Sequence, residues 1–270
     1  MLKYNWVIKL NVKYLSVNMA NSGRFKKPGR EAYTLLDKPF FYGLGAVSEA
    51  LSSEGIKHAL YGGVSLQAYF AHKIAGTNSI DSDPKLASYL RQTGDYDLAV
   101  TRCLGPRQLF RALDRLHGNY KDFPEGTFGL TVARRGEKRT HIEITKLAAD
   151  SEQTADVMVT FFNEDDRHQD MITDAKPIHL VYGNLDLDVP TAPIESTVAG
   201  KLSRAGAKRD IPDIMNVIEV FPEIDLNRVG DILSGISKTE PHVRKMVRRV
   251  RSGRESFLNY LKEVKEASSG

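Results

Sequence analysis

The stretch LRQTGDYDLAV, residues 90–100, places Asp95 and Asp97 one residue apart in what otherwise has the pattern of a buried strand. Side chains alternate between the two faces of a strand, so both carboxylates are predicted on one face and Tyr96 and Leu98 on the other. Neighbouring carboxylates repel each other unless a cation neutralises them. The pair alone is a weak signal, because a strand that ends in solvent tolerates two aspartates at little cost.

A strand-to-helix turn, YGGVS, precedes the acidic pair in the chain. Gly62 and Gly63 allow a ligand to approach the backbone closely, and Ser65 falls in the first turn of the predicted helix. The amide groups of a helix N-terminus bind anions. An anion-binding turn and an oxygen-only cation site together predict a nucleoside triphosphate with Mg²⁺ or Mn²⁺ as the ligand.

A third carboxylate is expected to complete such a site. Glu143, in THIEITKL, stands between two isoleucines that alternate to the opposite face of a predicted strand. The alternative is the pair Asp186 and Asp188 in NLDLDVP, which repeats the one-residue spacing. Glu143 is favoured because the alternative stretch runs into proline, which is typical of an edge or exit segment. Asp156, in a predicted loop, is a weaker candidate.

The chain organisation follows from hydrophobic periodicity and turn residues. The fold class is α/β (α+β), with a mixed β-sheet flanked by helices and followed by a C-terminal helical bundle. We expect a basic N-terminal extension at 1–30, a core at 31–190 and a helical domain at 191–270. Helices are predicted at 39–51, 64–75, 105–119, 194–206, 210–221, 225–236, 240–252 and 254–266, a polar loop at 75–84, and strands at 56–63, 96–101, 127–135, 140–148, 156–162, 177–183 and 184–190.

The motif Gly-Gly-x-Ser, followed by Arg-x-Thr-x-Asp-x-Asp, resembles the minimal nucleotidyltransferase superfamily related to DNA polymerase β. Its paired glycines and Arg-x-Thr prefix look most like the AbiEii type, toxins of toxin–antitoxin and phage-defence systems. Downstream, Lys201 followed by Asp210 and Asp213 is similar to that family's lysine and Asp-x-x-Asp element. The residues that carry the first motif are Gly62, Gly63, Ser65, Arg91, Thr93, Asp95 and Asp97.

The resemblance implies a nucleotidyltransferase fold and transfer of a nucleoside monophosphate from an NTP to a hydroxyl, with release of pyrophosphate. Asp95, Asp97 and Glu143 would hold the Mg²⁺ or Mn²⁺ ions and catalyse the transfer. Lys201 would reach the triphosphate, and Asp210 would position the triphosphate or the acceptor. It also implies a cognate antitoxin protein as a partner. The implied nucleotide-binding residues are Gly62, Gly63, Ser65, Arg91, Thr93, Lys201 and Asp210.

Charge and composition give expectations about the acceptor substrate and the cellular location. The net charge of +4 is mild, but residues 1–30 carry no acidic residue and a second basic cluster occupies 244–254. Such clusters favour RNA, such as a tRNA 3′ end, although a solvated helix face has the same composition. No apolar run is long enough to span a bilayer. The single cysteine, Cys103, excludes an internal disulfide, so a cytoplasmic location is expected.

Two other functions remain open from the sequence. One is a non-enzymatic module that binds nucleotide or RNA on the same fold. The other is an adenylyltransferase that modifies a small molecule, as antibiotic-modifying enzymes do. The seven histidines show no close metal-ligand spacing and are expected to be scattered structural or surface residues.

Overall fold

The computed structural model describes residues 32–101, 106–114, 129–135, 139–148, 154–162, 166–204, 210–236 and 243–267. The predicted basic extension at 1–30 lies outside these residues. The described residues between 32 and 267 belong to one compact unit. The boundary near residue 190 stays a prediction.

The described strands form one sheet. They are β1 (His58–Tyr61), β2 (Asp95–Val100), β3 (Gly129–Arg135), β4 (Arg139–Ala148), β5 (Thr154–Phe162), β6 (Lys176–Tyr182) and β7 (Leu185–Thr191). Their order is β3-β4-β5-β2-β1-β7-β6. β2 runs parallel to β5 and antiparallel to β1, and β1 runs parallel to β7. The predicted mixed sheet is confirmed.

Helices flank the sheet and follow it, as predicted. They are α1 (Lys38–Ser53), α2 (Gly62–Ala75), α3 (Pro106–Asp114), α4 (Asp166–Thr173), α5 (Ile194–Ser203), α6 (Ile211–Val220), α7 (Leu226–Ile236), α8 (Arg244–Arg251) and α9 (Arg254–Glu266). Parts of the predicted helices at 105–119, 194–206, 210–221 and 240–252 extend beyond the described residues or beyond the observed helix ends. Among the described helices, none has the length and apolar character needed to cross a bilayer.

The main hydrophobic core lies on the face of β2 opposite its aspartates. Tyr96 and Leu98 are fully buried there, and the Tyr96 ring packs on Phe40 of α1 with centroids 4.6 Å apart. The same core extends to residues of the C-terminal helices, including Leu233 and Phe257. The alternation that buries Tyr96 and Leu98 therefore turns the carboxylates of β2 to the other face.

A smaller apolar cluster covers that other face beyond the aspartates. Ala59 of β1 and Ala99 of β2 pack with Met171 of α4 and with Ala192. Ala99 shares a face with Asp97, because two residues separate them along one strand. The acidic pair thus lies on the α4 side of the sheet, where the apolar cover gives way to polar side chains.

The prediction that NLDLDVP forms an edge or exit segment is wrong. β7 pairs with β6 along its whole length and also bonds β1, so β6 is the strand at the sheet edge. Pro190 is tolerated because the pairing with β1 begins only after it, at Thr191 opposite Leu60. The missing amide of proline therefore interrupts no ladder bond on the β1 side.

His58 gives the fold a predicted pH dependence. Its Nδ1 donates to the Ile56 carbonyl at 3.0 Å, which leaves Nε2 to accept from the Ser48 hydroxyl at 2.8 Å. Burial lowers the pKa of His58 below its ordinary 6.5. The unfolded chain therefore binds a proton first as the pH falls below 6.5, and stability declines until the pH reaches the lowered folded pKa.

We expect the melting temperature of the wild type to fall between pH 6.5 and the acid range partly through this residue. The double variant Ser48→Ala, His58→Leu removes the titrating group together with the Ser48 hydroxyl, so that only the Ile56 carbonyl loses a partner. Its melting temperature should decline less over the same pH range. Parallel curves for the two proteins would show that His58 contributes nothing to the pH dependence.

Candidate active site

The acidic pair lies at the start of β2. Asp95 and Asp97 are partly exposed, whereas Tyr96 between them is fully buried. The Thr93 hydroxyl donates to Asp95 Oδ1 at 2.6 Å and orients that carboxylate. Backbone bonds in both directions between Tyr33 and Thr93 fix the segment that leads into the strand. The predicted arrangement of two carboxylates on one face is therefore confirmed.

The N-terminus of α2 lies directly beside this pair. Tyr61, the last residue of β1, is the register partner of Asp97. Gly62 follows with φ of +79°, and a Cβ atom built there would lie 3.1 Å from Cβ and Cγ of Asp97 and would overlap its Oδ2. The N-cap residue, Tyr61, forms no side-chain capping bond to the first amide groups of the helix, and such groups bind anions.

A matched pair of glycine substitutions tests this turn. Gly62→Ala should destabilise the fold by ~1–3 kcal/mol from backbone strain alone and should also displace the Asp97 carboxylate. Gly63→Ala should leave stability nearly unchanged, because its Cβ would meet Thr93 Oγ1 at an ordinary 3.8 Å. Urea unfolding of both variants measures the difference. Equal losses of stability in the two variants would contradict the assigned role of Gly62.

Ser65 makes its hydrogen bonds within the fold. Its side chain is fully buried, and its hydroxyl donates to the Gly62 carbonyl at 3.0 Å. The same hydroxyl lies 3.0 Å from Oγ1 of Thr197 on α5. In this structure Ser65 closes the glycine turn from inside the fold and joins α2 to α5. Its predicted contact with nucleotide stays a prediction.

An ion-pair cluster joins the two sequence motifs in space. Lys201 of α5 lies 3.0 Å from Asp210 Oδ1 and 2.7 Å from Asp213 Oδ2, and all three side chains are at most 10% exposed. Arg91 reaches the same carboxylates, at 2.9 Å to Asp213 and 3.5 Å to Asp210. The Arg-x-Thr prefix of the acidic strand and the downstream lysine element therefore form one structure.

This cluster contains more positive than negative side chains. Arg204 completes it with Nε 3.9 Å from Asp210 Oδ2, so three cations surround two carboxylates. Asp210 Oδ2 is buried and accepts no hydrogen bond within the described part of the chain. Lys201 is only 1% exposed, whereas the Arg91 side chain is 41% exposed. Arg91 and Arg204, whose side chains are 41% and 47% exposed, are thus the members of the cluster that an anion arriving from solvent can meet.

Two further residues support this cluster, one expected from the resemblance and one not. Asp213, expected as part of the Asp-x-x-Asp element, holds both Arg91 and Lys201. Gln67 of α2 accepts from the Leu35 amide and donates to the Arg91 carbonyl, each at 2.8 Å. No sequence signal identifies Gln67, because a buried glutamine between two distant backbone segments has no local pattern.

Glu143 lies on the register line of the acidic pair. Glu143 of β4 pairs with Met158 of β5, and Met158 pairs with Asp95 of β2. The line therefore places Glu143 two strands from Asp95 at the same level of the sheet. Its role as the third carboxylate stays a prediction.

The alternative carboxylates lie elsewhere. Asp186 and Asp188 are exposed on β7, and Asp188 pairs with His179 of β6 at 3.0 Å. β1 lies between β7 and β2 in the sheet, so this pair is two strands away from the acidic pair. Asp156, expected in a loop that leads into the predicted strand at 156–162, lies within β5, which begins two residues earlier.

The donor chemistry around β2 fits a hard divalent cation. Carboxylate oxygens are the ligands that Mg²⁺ and Mn²⁺ prefer, and the strand presents two of them on one face. No group of three or more His, Cys, Asp or Glu side chains with metal-binding geometry occurs within the described ranges. A third ligand, for which the sequence predicts Glu143, stays a prediction.

An aromatic cluster borders the acidic pair on the same face. The Tyr61 ring lies edge-on to Phe162 with centroids 5.0 Å apart, and Phe162 stacks on His168 of α4 at 5.1 Å. Tyr61 is the register partner of Asp97, so the cluster stands next to the carboxylates. No motif in the sequence indicated this contact.

No protein-family model matches the chain, and no curated protein sequence matches it. Among solved structures, the chain is similar to JHP933 from Helicobacter pylori, with 12% sequence identity and a TM-score of 0.46 over 85% of this chain and 92% of that one. It is also similar to a candidate nucleotidyltransferase from H. pylori, with 12% identity and a TM-score of 0.45 over 86% of this chain and 94% of that one.

Proposed function

We propose that the chain is a metal-dependent nucleotidyltransferase that moves a nucleoside monophosphate from an NTP to a hydroxyl acceptor. One observation carries the proposal: the carboxylate of Asp97, which shares a strand face with Asp95, lies beside the N-terminus of α2 at Gly62. A cation site and an anion site in contact match a metal–triphosphate ligand. The adjoining cluster around Arg91 supplies further positive charge for the same ligand.

Asp95, Asp97 and Glu143 would hold Mg²⁺ or Mn²⁺. When bound, the metal lowers the pKa of the acceptor hydroxyl and offsets the negative charge of the triphosphate. These carboxylates suit that task, because oxygen ligands bind hard cations and because two adjacent carboxylates require a positive partner.

The other residues of the chain bind and orient the substrates. The amides of Gly62 and Gly63 bind phosphate oxygens, and Thr93 keeps Asp95 in one orientation. Glu143 accepts the proton of the acceptor hydroxyl. The hydroxyl oxygen forms a bond to the α-phosphorus, and the bond from that phosphorus to the bridging oxygen breaks. Pyrophosphate leaves with its charge stabilised by Arg91 and, from its buried position, by Lys201.

The acceptor that we propose is RNA, with a tRNA 3′ end as one form, and the biological role is that of an AbiEii-type toxin with a cognate antitoxin protein. The motif Gly-Gly-x-Ser with Arg-x-Thr-x-Asp-x-Asp supports this subfamily. We propose a cytoplasmic location, which fits a substrate such as tRNA.

A non-enzymatic nucleotide-binding module is the second candidate. The observation that favours it is that two residues predicted to bind nucleotide already make polar contacts within the fold. Ser65 bonds Gly62 and Thr197, and Lys201 is enclosed by Asp210 and Asp213. In such a module the same residues would maintain the fold around a bound nucleotide that is not turned over.

Transfer from labelled nucleotide separates the two candidates. The chain is incubated with each α-labelled NTP and Mg²⁺, in parallel with total RNA, with protein and with small hydroxyl-bearing acceptors such as aminoglycosides. The proposal predicts label in the RNA. Label in the small acceptor would instead show an antibiotic-type adenylyltransferase. Magnesium-dependent nucleotide binding without label in any acceptor would support the non-enzymatic module.

A further inference from the structure

α8 presents a group of exposed cations. In sequence it lies far from the acidic pair of β2. Four side chains of α8, which we call the basic surface, are exposed: Arg244, Lys245, Arg248 and Arg249. They follow one another at i, i+1, i+4 and i+5, and these positions cluster on one side of a helix. At 100° per residue they span an arc of ~140°.

The opposite side of α8 anchors the helix to the rest of the fold. Val250 is buried, as is Val243 just before the helix. At the margin of the basic surface, two turns after Arg244, the stem of Arg251 packs against Gly230 of α7, where a Cβ would lie 3.1 Å from the Arg251 side chain. The basic surface therefore points away from the core on a helix that is fixed by packing.

The cations that follow the basic surface along the chain are used for structure. Arg251 pairs with Asp231 at 2.6 Å, and Arg254 donates to the carbonyls of Ile218 and Phe221 at the end of α6. Within the part of the chain that the structure describes, no acidic side chain pairs with Arg244, Lys245 or Arg248. Uncompensated like charges on one helix face repel each other, and an anionic partner would relieve that repulsion.

An aromatic ring and a groove border the basic surface. The Arg249 guanidinium lies over the Tyr260 ring at 4.9 Å, and both line a groove of about 350 Å³ with Ser256 and Asn259. Glu255 and Glu263 also line this groove, so negative charge limits the basic surface on the α9 side. A phosphate chain would therefore follow α8 itself, with Tyr260 available to a base at its margin.

We propose that the basic surface binds the phosphate backbone of RNA. The inference rests on the proposed function for the choice of RNA, because the reaction needs a hydroxyl acceptor and RNA carries a hydroxyl on every ribose. Arginine is suited to this role, since its guanidinium binds phosphate oxygens in pairs. α8 then holds the acceptor, while the residues around β2 perform the transfer.

The test measures binding without catalysis. The full chain and the variant Arg244→Gln, Lys245→Gln, Arg248→Gln are titrated against a labelled single-stranded RNA, without NTP or Mg²⁺, at several salt concentrations. Loss of three phosphate contacts should lower the salt slope of log Kd by ~2 and weaken binding by ~100-fold near 0.1 M salt. Arg249 is left unchanged because it packs on Tyr260.

The matched control removes the same charge elsewhere. Lys57→Gln, Lys85→Gln, Lys176→Gln changes three exposed lysines outside α8 and should keep both the Kd and the salt slope of the wild type. Equal effects of the two triple variants would overturn the proposal. Binding that depends on α8 in a chain without transferase activity would refute the proposed function but support this surface.

Discussion

Asp97→Asn should reduce nucleotidyl transfer by ~10³-fold or more, which corresponds to ~4 kcal/mol of transition-state stabilisation. The substitution keeps the size of the side chain and removes the charge that a divalent cation requires. Because Asp97 is partly exposed and stands one residue from a second carboxylate, removing its charge relieves repulsion and should leave the melting temperature nearly unchanged. Initial rates with labelled NTP and RNA, with a thermal melt of the same samples, measure both effects.

Asp186→Asn is the matched control, because Asp186 belongs to another Asp-x-Asp of the chain and is exposed on β7. It should retain the wild-type rate. A fully active Asp97→Asn variant would contradict the assignment of the acidic pair as the metal site. Equal loss of activity in both variants would show that the effect comes from general surface charge.

Lys201→Met should destabilise the fold by ~3–5 kcal/mol, the cost typical of leaving a buried charge without its partner. Lys201 is 1% exposed and lies 3.0 Å or less from both Asp210 and Asp213. Methionine fills a similar volume without the ammonium group, so the two buried aspartates lose their nearest cation. Urea unfolding measures the loss of free energy directly.

Lys73→Met is the control for this substitution. Lys73 pairs with Glu223 at 2.8 Å, but both side chains are about half exposed, at 45% and 60%. Water screens such a pair, so its loss should change the unfolding midpoint little. If the two lysine variants unfolded at the same denaturant concentration, the cluster around Lys201 would have no special structural importance.

The fold was largely predictable because its strands carry strong local signals. The alternation in DYDLAV predicts which side chains are buried, and Tyr96 and Leu98 are buried as predicted. The prediction for β7 was wrong because proline marks an edge strand only where its missing amide would have formed a ladder hydrogen bond. The pairing of β7 with β1 starts one residue after Pro190, at Thr191. Local sequence does not contain that register.

The candidate site was predictable where chemistry is concentrated in short motifs. Asp95 and Asp97 lie where the pattern placed them, and the glycine turn lies beside them. The roles of Gln67 and Tyr61 were not predictable, because each depends on a contact made across the fold. Likewise, the burial of Lys201 follows from packing between helices and has no counterpart in its local sequence.

Transfer from doubly labelled nucleotide tests the central proposal most directly. The chain is incubated with RNA, Mg²⁺ and NTP that carries one label on the α-phosphate and another on the γ-phosphate. Nucleotidyl transfer predicts that the α-label enters RNA while the γ-label appears only in pyrophosphate, in equal amounts. Entry of the γ-label into RNA, or release of inorganic phosphate without entry of the α-label, would contradict it.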